Sequence, residues 1–379
     1  MAQGAVAETP TGEAAAGSVL SSHKGAPSKS GHFIVLDAAR GYAAVCVVIY
    51  HIMELFRVPG SFSGAFLAVD LFFLMSGFVI AFSYDQRLRD RSMSFWRFFE
   101  VRTIRLYPLY AVSILLGALY FCVKIALGQP DAPAASDMLI AAGPSVLMLP
   151  VVAVGDPALM NYPFSPSAWS LVLEFWFNLV FAITAVRWGV RALGVIAAVA
   201  FVVLCVQSVG YTSTDLGWGV STLLGGSARF WFSFTVGVVL FRLRKAGPAL
   251  KPVHLLLVSP ALLFILIPRD NIVLQLIWIG VAFPLFVHVA ARVNVSGALA
   301  TISDHLGRLS YGIYILHGPV MMLMLGMLTV MMGRSWELYP VQTGVFLLAG
   351  VMVATAAATY FFDEPFRRWL RAWRRPAKA

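Results

Sequence analysis

Charge is what this 379-residue sequence has least of: 12% of its residues are Asp, Glu, Lys or Arg, against 59% that are hydrophobic. A soluble globule carries about 25% charged residues, so this chain has too little polar surface to sit in water. Cysteine is equally sparse. Cys46, Cys122 and Cys205 each fall inside an apolar run, with no CxxC pair and no zinc spacing, which excludes a disulfide-stapled secreted scaffold and a structural zinc site. No GxSxG elbow, HExxH pair or P-loop occurs, so a serine hydrolase, a zincin and an ATP-driven pump lack motif support. Disorder and collagen are excluded by the same composition. What remains, at a mean hydropathy of +0.80, is an all-α polytopic membrane protein that uses lipid as its solvent.

Ten apolar stretches predict spans at 34–56, 64–84, 106–127, 167–187, 191–209, 221–243, 253–268, 271–290, 308–332 and 341–362. Each is near the ~20 residues that a ~30 Å hydrocarbon core requires, the seventh being short. With ten spans both termini lie on one side, and the net charge of +10 says which. Only Arg57, Lys124, Arg229, Arg269 and Arg334 fall toward the outside when the N-terminus is cytoplasmic; the other 23 of the 28 Lys and Arg fall inside. This is the positive-inside pattern, and it accounts for the basic balance without nucleic acid.

Residues 136–153 test that topology, because they are apolar enough to resemble an eleventh span. A crossing there would move 14 of the later bases outside, and Gly143, Pro144 and Pro150 interrupt the run. The segment is therefore expected to be a re-entrant or interfacial part of an outer loop, 128–166, which contains acidic residues but no Lys or Arg. Residues 1–31 read as a disordered cytoplasmic tail, 32–364 as one transmembrane domain, and 365–379 as a basic, aromatic tail on the inner leaflet. The first apolar run is too long, and begins too late, for a cleaved signal peptide.

Ionisable groups inside spans are expensive, so each needs a partner, a water-filled cavity or a function. The first span contains Asp37, Arg40, His51 and Glu54. Arg40 and His51 are eleven residues apart, which on a helix is roughly 20° in azimuth and about 16 Å in depth. They face one way at opposite levels. His51 lies about 7 Å, Asp70 about 9 Å and Glu174 about 10 Å below the outer ends of their spans, so a histidine and two carboxylates are expected at one level. Proton-coupled carriers build similar constellations, and depth alone does not separate carrier from enzyme. On the cytoplasmic side, Arg102 and Arg105 stand one helical turn apart at the inner mouth of the third span, two guanidinium forks suited to the phosphates of an anionic ligand.

Six motifs in order resemble the acyltransferase 3 family of membrane enzymes over residues 33–370: LDAARGYAAVCVVIYH at 36–51, VDLFFLMSGFVI at 69–80, FFEVRTIRLYPLY at 98–110, SAWSLVLEFWFNL at 167–179, LGRLSYGIYILHGPV at 306–320 and DEPFRRWL at 363–370. The resemblance implies a multi-pass protein of the bacterial inner membrane that moves an acyl group, usually acetyl, from cytoplasmic acyl-coenzyme A to a hydroxyl. The implied acceptor is a glycan or glycolipid of polysaccharide biosynthesis, with no metal involved. It also implies roles. Arg40, Arg102, Arg105 and Tyr107 would meet the donor, and His317 would line the thioester channel. His51 would be general base, with Asp70 orienting its imidazole, while Glu174, Trp169 and Ser170 would shape the acceptor side. The family often has two acidic residues after the tryptophan–serine pair, whereas here Phe175 follows Glu174. No SGNH hydrolase domain follows the last span, so transfer is expected to finish within the membrane domain. Succinyl transfer by the same mechanism, and a proton-coupled carrier, are the alternatives. His254, His288 and His305 match none of these motifs.

Overall fold

The structure is a computed structural model that describes residues 33–58, 62–152, 161–184, 187–244 and 250–373. The tail expected over 1–31, and Arg374, Arg375 and Lys378 of the basic C-terminal tail, lie outside the described residues. Those described are helical, apart from turns and one isolated bridge between Leu250 and Val293. The helices are α1 Ile34–Leu55, α2 Ala65–Arg89, α3 Phe95–Ala126, α4 Ala135–Val146, α5 Ala168–Thr184, α6 Val190–Gly210, α7 Val220–Leu243, α8 His254–Leu266, α9 Ile272–Ala290, α10 Ala298–Met332 and α11 Pro340–Trp373.

Eight of these are long and apolar enough to cross a membrane, and α5 and α8 are shorter. Every expected span thus corresponds to a helix, but two fall below spanning length for local reasons. In α8 only His254–Val258 is α-helical. Ser259–Leu266, which begins with the Ser259–Pro260 pair, winds as a 3₁₀ helix with a kink at Leu263. The tighter coil rises about 2.0 Å per residue, so it covers more depth with fewer residues. In α5 the chain enters its helix only after residues 161–167, which are packed inside the bundle: Phe164 and Ser165 are buried.

Two helices run past their expected starts. The side chain of Ser94 caps α3 by accepting from the Arg97 amide at 3.2 Å, so the helix begins eleven residues before position 106. Arg102 and Arg105 therefore stand well inside α3. Similarly, α10 begins at Ala298 and carries its 35 residues over about 52 Å, longer than the hydrocarbon core is thick.

The interrupted segment, described to residue 152, forms no helix of spanning length. Its helix α4 has 12 residues and folds back along α3. The last carbonyls of a helix lack partners within it. Here the Tyr110 hydroxyl donates to the Ser145 carbonyl at 2.5 Å and the Tyr107 hydroxyl to that of Val146 at 3.0 Å. The indole of Trp176 donates to the Met148 carbonyl at 2.7 Å. Tyr110 lies sixteen residues before the end of α3, so α4 and its turn reach back about 24 Å along that helix.

Helix packing follows small residues on one side and lipid-facing branches on the other. In α6, Leu193, Ala197, Ala200, Leu204 and Ser208 are buried, while Val195, Val199, Val202, Val206 and Val209 are exposed. Spacings of three and four put each set on its own helix face. At the crossing of α2 and α7, a Cβ on Gly77 would meet the Phe234 carbonyl oxygen at 2.0 Å, and one on Gly237 would meet that of Leu74 at 2.2 Å. Only glycine allows this approach of backbones. Around that crossing, α1, α3, α5 and α10 enclose a polar interior.

Candidate active site

Polar side chains run through the bundle in four successive layers. The first is a cavity of about 160 Å³ lined among others by Arg40 of α1, Ser76 of α2, Arg102 and Arg105 of α3, Glu174 of α5 and Tyr311 of α10. Glu174 accepts from Arg102 Nη2 at 2.9 Å and from the Ser76 hydroxyl at 2.7 Å, both on Oε1. Arg102 Nε is buried without a partner, and Arg105 has no hydrogen bond or ion pair among the described residues. Arg40 reaches Asp37 only at 3.4 Å. Three guanidinium groups and one carboxylate, Glu174, line the cavity, with Asp37 beside Arg40 and the charge of Asp363 acting on Arg105 from outside the lining, so the cavity is rich in fork-shaped donors that a phosphate or a polarised carbonyl can satisfy.

The second layer closes the cavity with a 2.6 Å hydrogen bond between the Ser170 and Tyr314 hydroxyls. One turn further along α5 and α10 lies the third. There the Ser167 hydroxyl is 3.0 Å from His317 Nε2, and His317 Nδ1 is 2.8 Å from the Tyr314 carbonyl and 3.2 Å from that of Ile313. Carbonyl oxygens only accept, so the proton of a neutral ring belongs on Nδ1, and Nε2 is the acceptor for Ser167. Pro319, two residues on, has no N–H for the Ile315 carbonyl; Ser165 donates to that oxygen instead, at 3.5 Å.

His51 forms the fourth layer. Its ring stacks on that of His317, with centroids 5.2 Å apart and planes 20° from parallel. Its side chain is 44% exposed, while His317 is 1% exposed. The pair therefore joins the buried column to an accessible surface. His51 Nδ1 lies 3.5 Å from Glu54 Oε2. Glu54 in turn accepts on Oε1 from the Tyr50 hydroxyl at 2.8 Å and from Arg269 at 2.6 Å, and Arg269 also reaches Asp215 at 3.0 Å.

Several expected positions change. Asp70 does not orient His51: it binds Arg229 through two hydrogen bonds of 3.1 and 2.7 Å, both side chains fully buried. Arg229 also donates to the carbonyls of Leu216 and Phe66, and its guanidinium lies 5.5 Å from the Trp169 ring. Arg229, expected toward the outside, is thus an interior partner of α2 and not an exposed charge. Trp169 flanks this ion pair, whereas its neighbour Ser170 faces the cavity. Glu174 meets Arg102, not His51, so the three groups matched in depth belong to three different clusters. The reason is rotation: spacing from a helix end fixes how deep a side chain lies but not which neighbour it faces. Tyr107 is turned away from the arginine cavity and holds α4. Arg40, Arg102, Arg105, Ser170 and Glu174 do converge there, and His51 and His317 meet above them.

Ser167, Tyr314 and Glu54 were not assigned from sequence as site residues. Their signal is periodic. Ser167, Ser170 and Glu174 fall three and four apart, Tyr311, Tyr314 and His317 three apart, and His51 and Glu54 three apart, each set marking one polar face of an apolar helix.

A family model described as an acyltransferase domain matches residues 33–363. The chain is similar to Protein 2 in the picA locus of Rhizobium radiobacter, 37% identical over 167 residues that make up 42% of this chain and 84% of the relative. It is 27% identical over 310 residues to the acetyltransferase-named ORF330 protein of Acidianus two-tailed virus, covering 78% of this chain and 84% of that one. With acyltransferase MdmB of Streptomyces mycarofaciens it shares 31% identity over 183 residues, 43% of this chain and 44% of the relative. No solved structure gives a significant match. Five of the six motifs quoted above lie within the matched region, and the sixth begins at its last residue. This multi-pass membrane protein belongs to the acyltransferase 3 family and is an acyltransferase.

Proposed function

We propose that the chain moves an acyl group, by preference acetyl, from acyl-coenzyme A on the cytoplasmic side of a bacterial inner membrane to a hydroxyl of a glycan or glycolipid on the outer side. The observation that carries this reading is the continuous polar column, arginine-rich at one end and capped by a half-exposed histidine at the other. Arg40, Arg102 and Arg105 hold the anionic donor, with the Nε of Arg102 having no hydrogen-bond partner to give up. The thioester arm points along the column toward Ser170, Tyr314 and His317. At the far end His51 takes the proton of the acceptor hydroxyl as general base, a task to which imidazole is suited near neutral pH. Glu54, one helical turn on, holds the ring and balances its charge when it is protonated. Similarity to a protein named as an acetyltransferase supports acetyl as the group moved.

The reading is tested by supplying radiolabelled acetyl-coenzyme A to inverted membrane vesicles that contain the protein. Label should pass to a glycan or glycolipid fraction only when the protein is present. A carrier would move solute and label no acceptor. Release of free coenzyme A with no labelled product in any fraction would sink the proposal.

A further inference from the structure

The Ser167–His317 pair has the geometry of an activated nucleophile, and no role follows for its hydroxyl from a single direct transfer. The requirements are a hydroxyl within hydrogen-bond reach of a base and a third group that fixes the base. Ser167 meets the first at 3.0 Å. Two main-chain carbonyls meet the second by holding Nδ1, so that Nε2 is turned to the serine. The serine also immediately precedes the first residue of α5, a helix of 17 residues whose N-terminal end favours negative charge on a nearby oxygen. It stands one turn beyond Ser170, which lines the arginine cavity, while the other face of His317 is covered by His51. A hydroxyl thus sits between the donor cavity and the base at the exposed end, at the level where a group coming from one side is handed to the other.

The geometry points to Ser167 as a covalent relay: it accepts the acyl group from the donor thioester to form an acyl-serine ester, which the acceptor hydroxyl then cleaves. This rests on the acyl-thioester reading above. In the first half, Ser167 Oγ forms a bond to the acyl carbon and the carbon–sulfur bond breaks. The serine proton moves to His317 Nε2. A thiol has a pKa near 8.5, so the sulfur leaves as thiolate without an acid, is held beside the arginines, and takes its proton from cytoplasmic water. In the second half, the acceptor oxygen forms its bond to the acyl carbon and gives its proton to His51, which loses it to water at the exposed end. The acyl–Oγ bond breaks, and the serine oxygen, a poor leaving group as alkoxide, recovers its proton from His317. Two imidazoles then serve two half-reactions, one buried and one exposed. Between the halves, the charged His317 has acceptors for both of its N–H groups, the carbonyls at Nδ1 and the ester oxygen at Nε2.

The test uses the purified full-length protein in lipid nanodiscs with radiolabelled acetyl-coenzyme A and no acceptor. Wild type should release free thiol in a burst approaching one per chain and carry label that peptide mass mapping places on Ser167. His51→Gln should form the same acyl-protein and retain it when acceptor is added, because only the second half is lost. Ser167→Ala should bind donor yet carry no label, with transfer to acceptor down by roughly 10²-fold or more. Ser167→Cys keeps a nucleophile of nearly the same size, and its label should become labile to neutral hydroxylamine, which guards against misreading a folding defect. If Ser167→Ala transfers label at close to the wild-type rate, or wild type turns over with no acyl-protein trapped by acid quench, the serine relay is overturned and direct transfer stands. If wild type neither releases thiol nor labels an acceptor, the relay falls together with the acyl-coenzyme A reading.

Discussion

Arg102 and Arg105 stand one turn apart on the same helix, yet their surroundings set them different tasks. Arg102 is committed to Glu174, a partly buried carboxylate that would otherwise keep only the Ser76 hydroxyl. Replacing Arg102 by Ala therefore removes a donor contact and leaves a charge poorly paired, so it should lower thermal stability as well as donor affinity. Arg105 makes no direct hydrogen bond of this kind, and the Asp363 carboxylate that acts on its charge is itself paired with Arg367, so it provides the cleaner experiment. Arg105→Ala should weaken acyl-coenzyme A binding by about 1.5–3 kcal/mol, the worth of one charge-assisted contact, while the melting temperature in detergent stays near wild type. Unchanged donor affinity in calorimetry would remove Arg105 from the donor site.

At the opposite end of the column the corresponding residue is His51. His51→Gln should cut acyl transfer by about 10²–10⁴-fold with donor affinity intact, since Arg40 lies roughly 16 Å away along α1 and lines the same cavity as Arg102 and Arg105. Glu54→Gln should lower kcat less and leave donor affinity unchanged, because the amide still fills the place beside Nδ1 but carries no charge. A His51→Gln enzyme that inserts normally and transfers at near the wild-type rate would remove the histidine from the chemistry. Arg40, His51, Arg102 and Arg105 were legible in the sequence because each is a charged or titratable group where the bilayer tolerates few. Ser167 and Tyr314 were not, since hydroxyls are cheap in a helix and carry no such signal. Asp70 was visible but misassigned: its depth matched His51, and nothing in one sequence revealed that Arg229, 159 residues later, takes both its oxygens.

Among the elements, α2 and α7 approach backbone to backbone at their glycine crossing, and the Asp70–Arg229 pair ties them again about two turns away. Arginine is suited to this place because its fork meets both carboxylate oxygens and still has donors for the Leu216 and Phe66 carbonyls. Loss of one partner leaves the other charge buried and alone, which commonly costs about 3–5 kcal/mol. Asp70→Asn and Arg229→Leu should accordingly lower the yield of folded protein and its melting temperature, whereas the double replacement by apolar residues of similar volume should recover much of both. Asp70→Asn protein that melts as wild type does but cannot transfer the acyl group would return Asp70 to a catalytic role. The positions of the helices themselves were legible to within a few residues, because apolar run length is governed by the bilayer. Their ends were less so. The early start of α3 depends on Ser94 as a cap, and the shortness of α8 on 3₁₀ winding after its proline, two local effects that hydropathy does not register.

For the molecule as a whole, the charge distribution sets an expectation for which end of the column faces the cytoplasm. The turn between α2 and α3 and the helix ends that flank it include Arg87, Arg89, Arg91 and Arg97, while the residues from 128 to 152 include Asp131 and Asp137 but neither Lys nor Arg. Basic loops resist translocation, so the cavity is expected to open inward, where acyl-coenzyme A is made, and His51 to face outward. Helix α4 matters here, because a crossing there would reverse every later helix. Its 12 residues are too few for a span, and its last two carbonyls are tied to Tyr107 and Tyr110 of α3. Reporter fusions along the full-length chain should therefore place position 150 outside and positions 92 and 245 inside. A cysteine at position 150 should react with an impermeant maleimide in intact cells, and one at position 92 only after the membrane is opened. Finding positions 150 and 245 on the same side would invert the second half of the bundle relative to the first, and the column could not then join an inner donor to an outer acceptor.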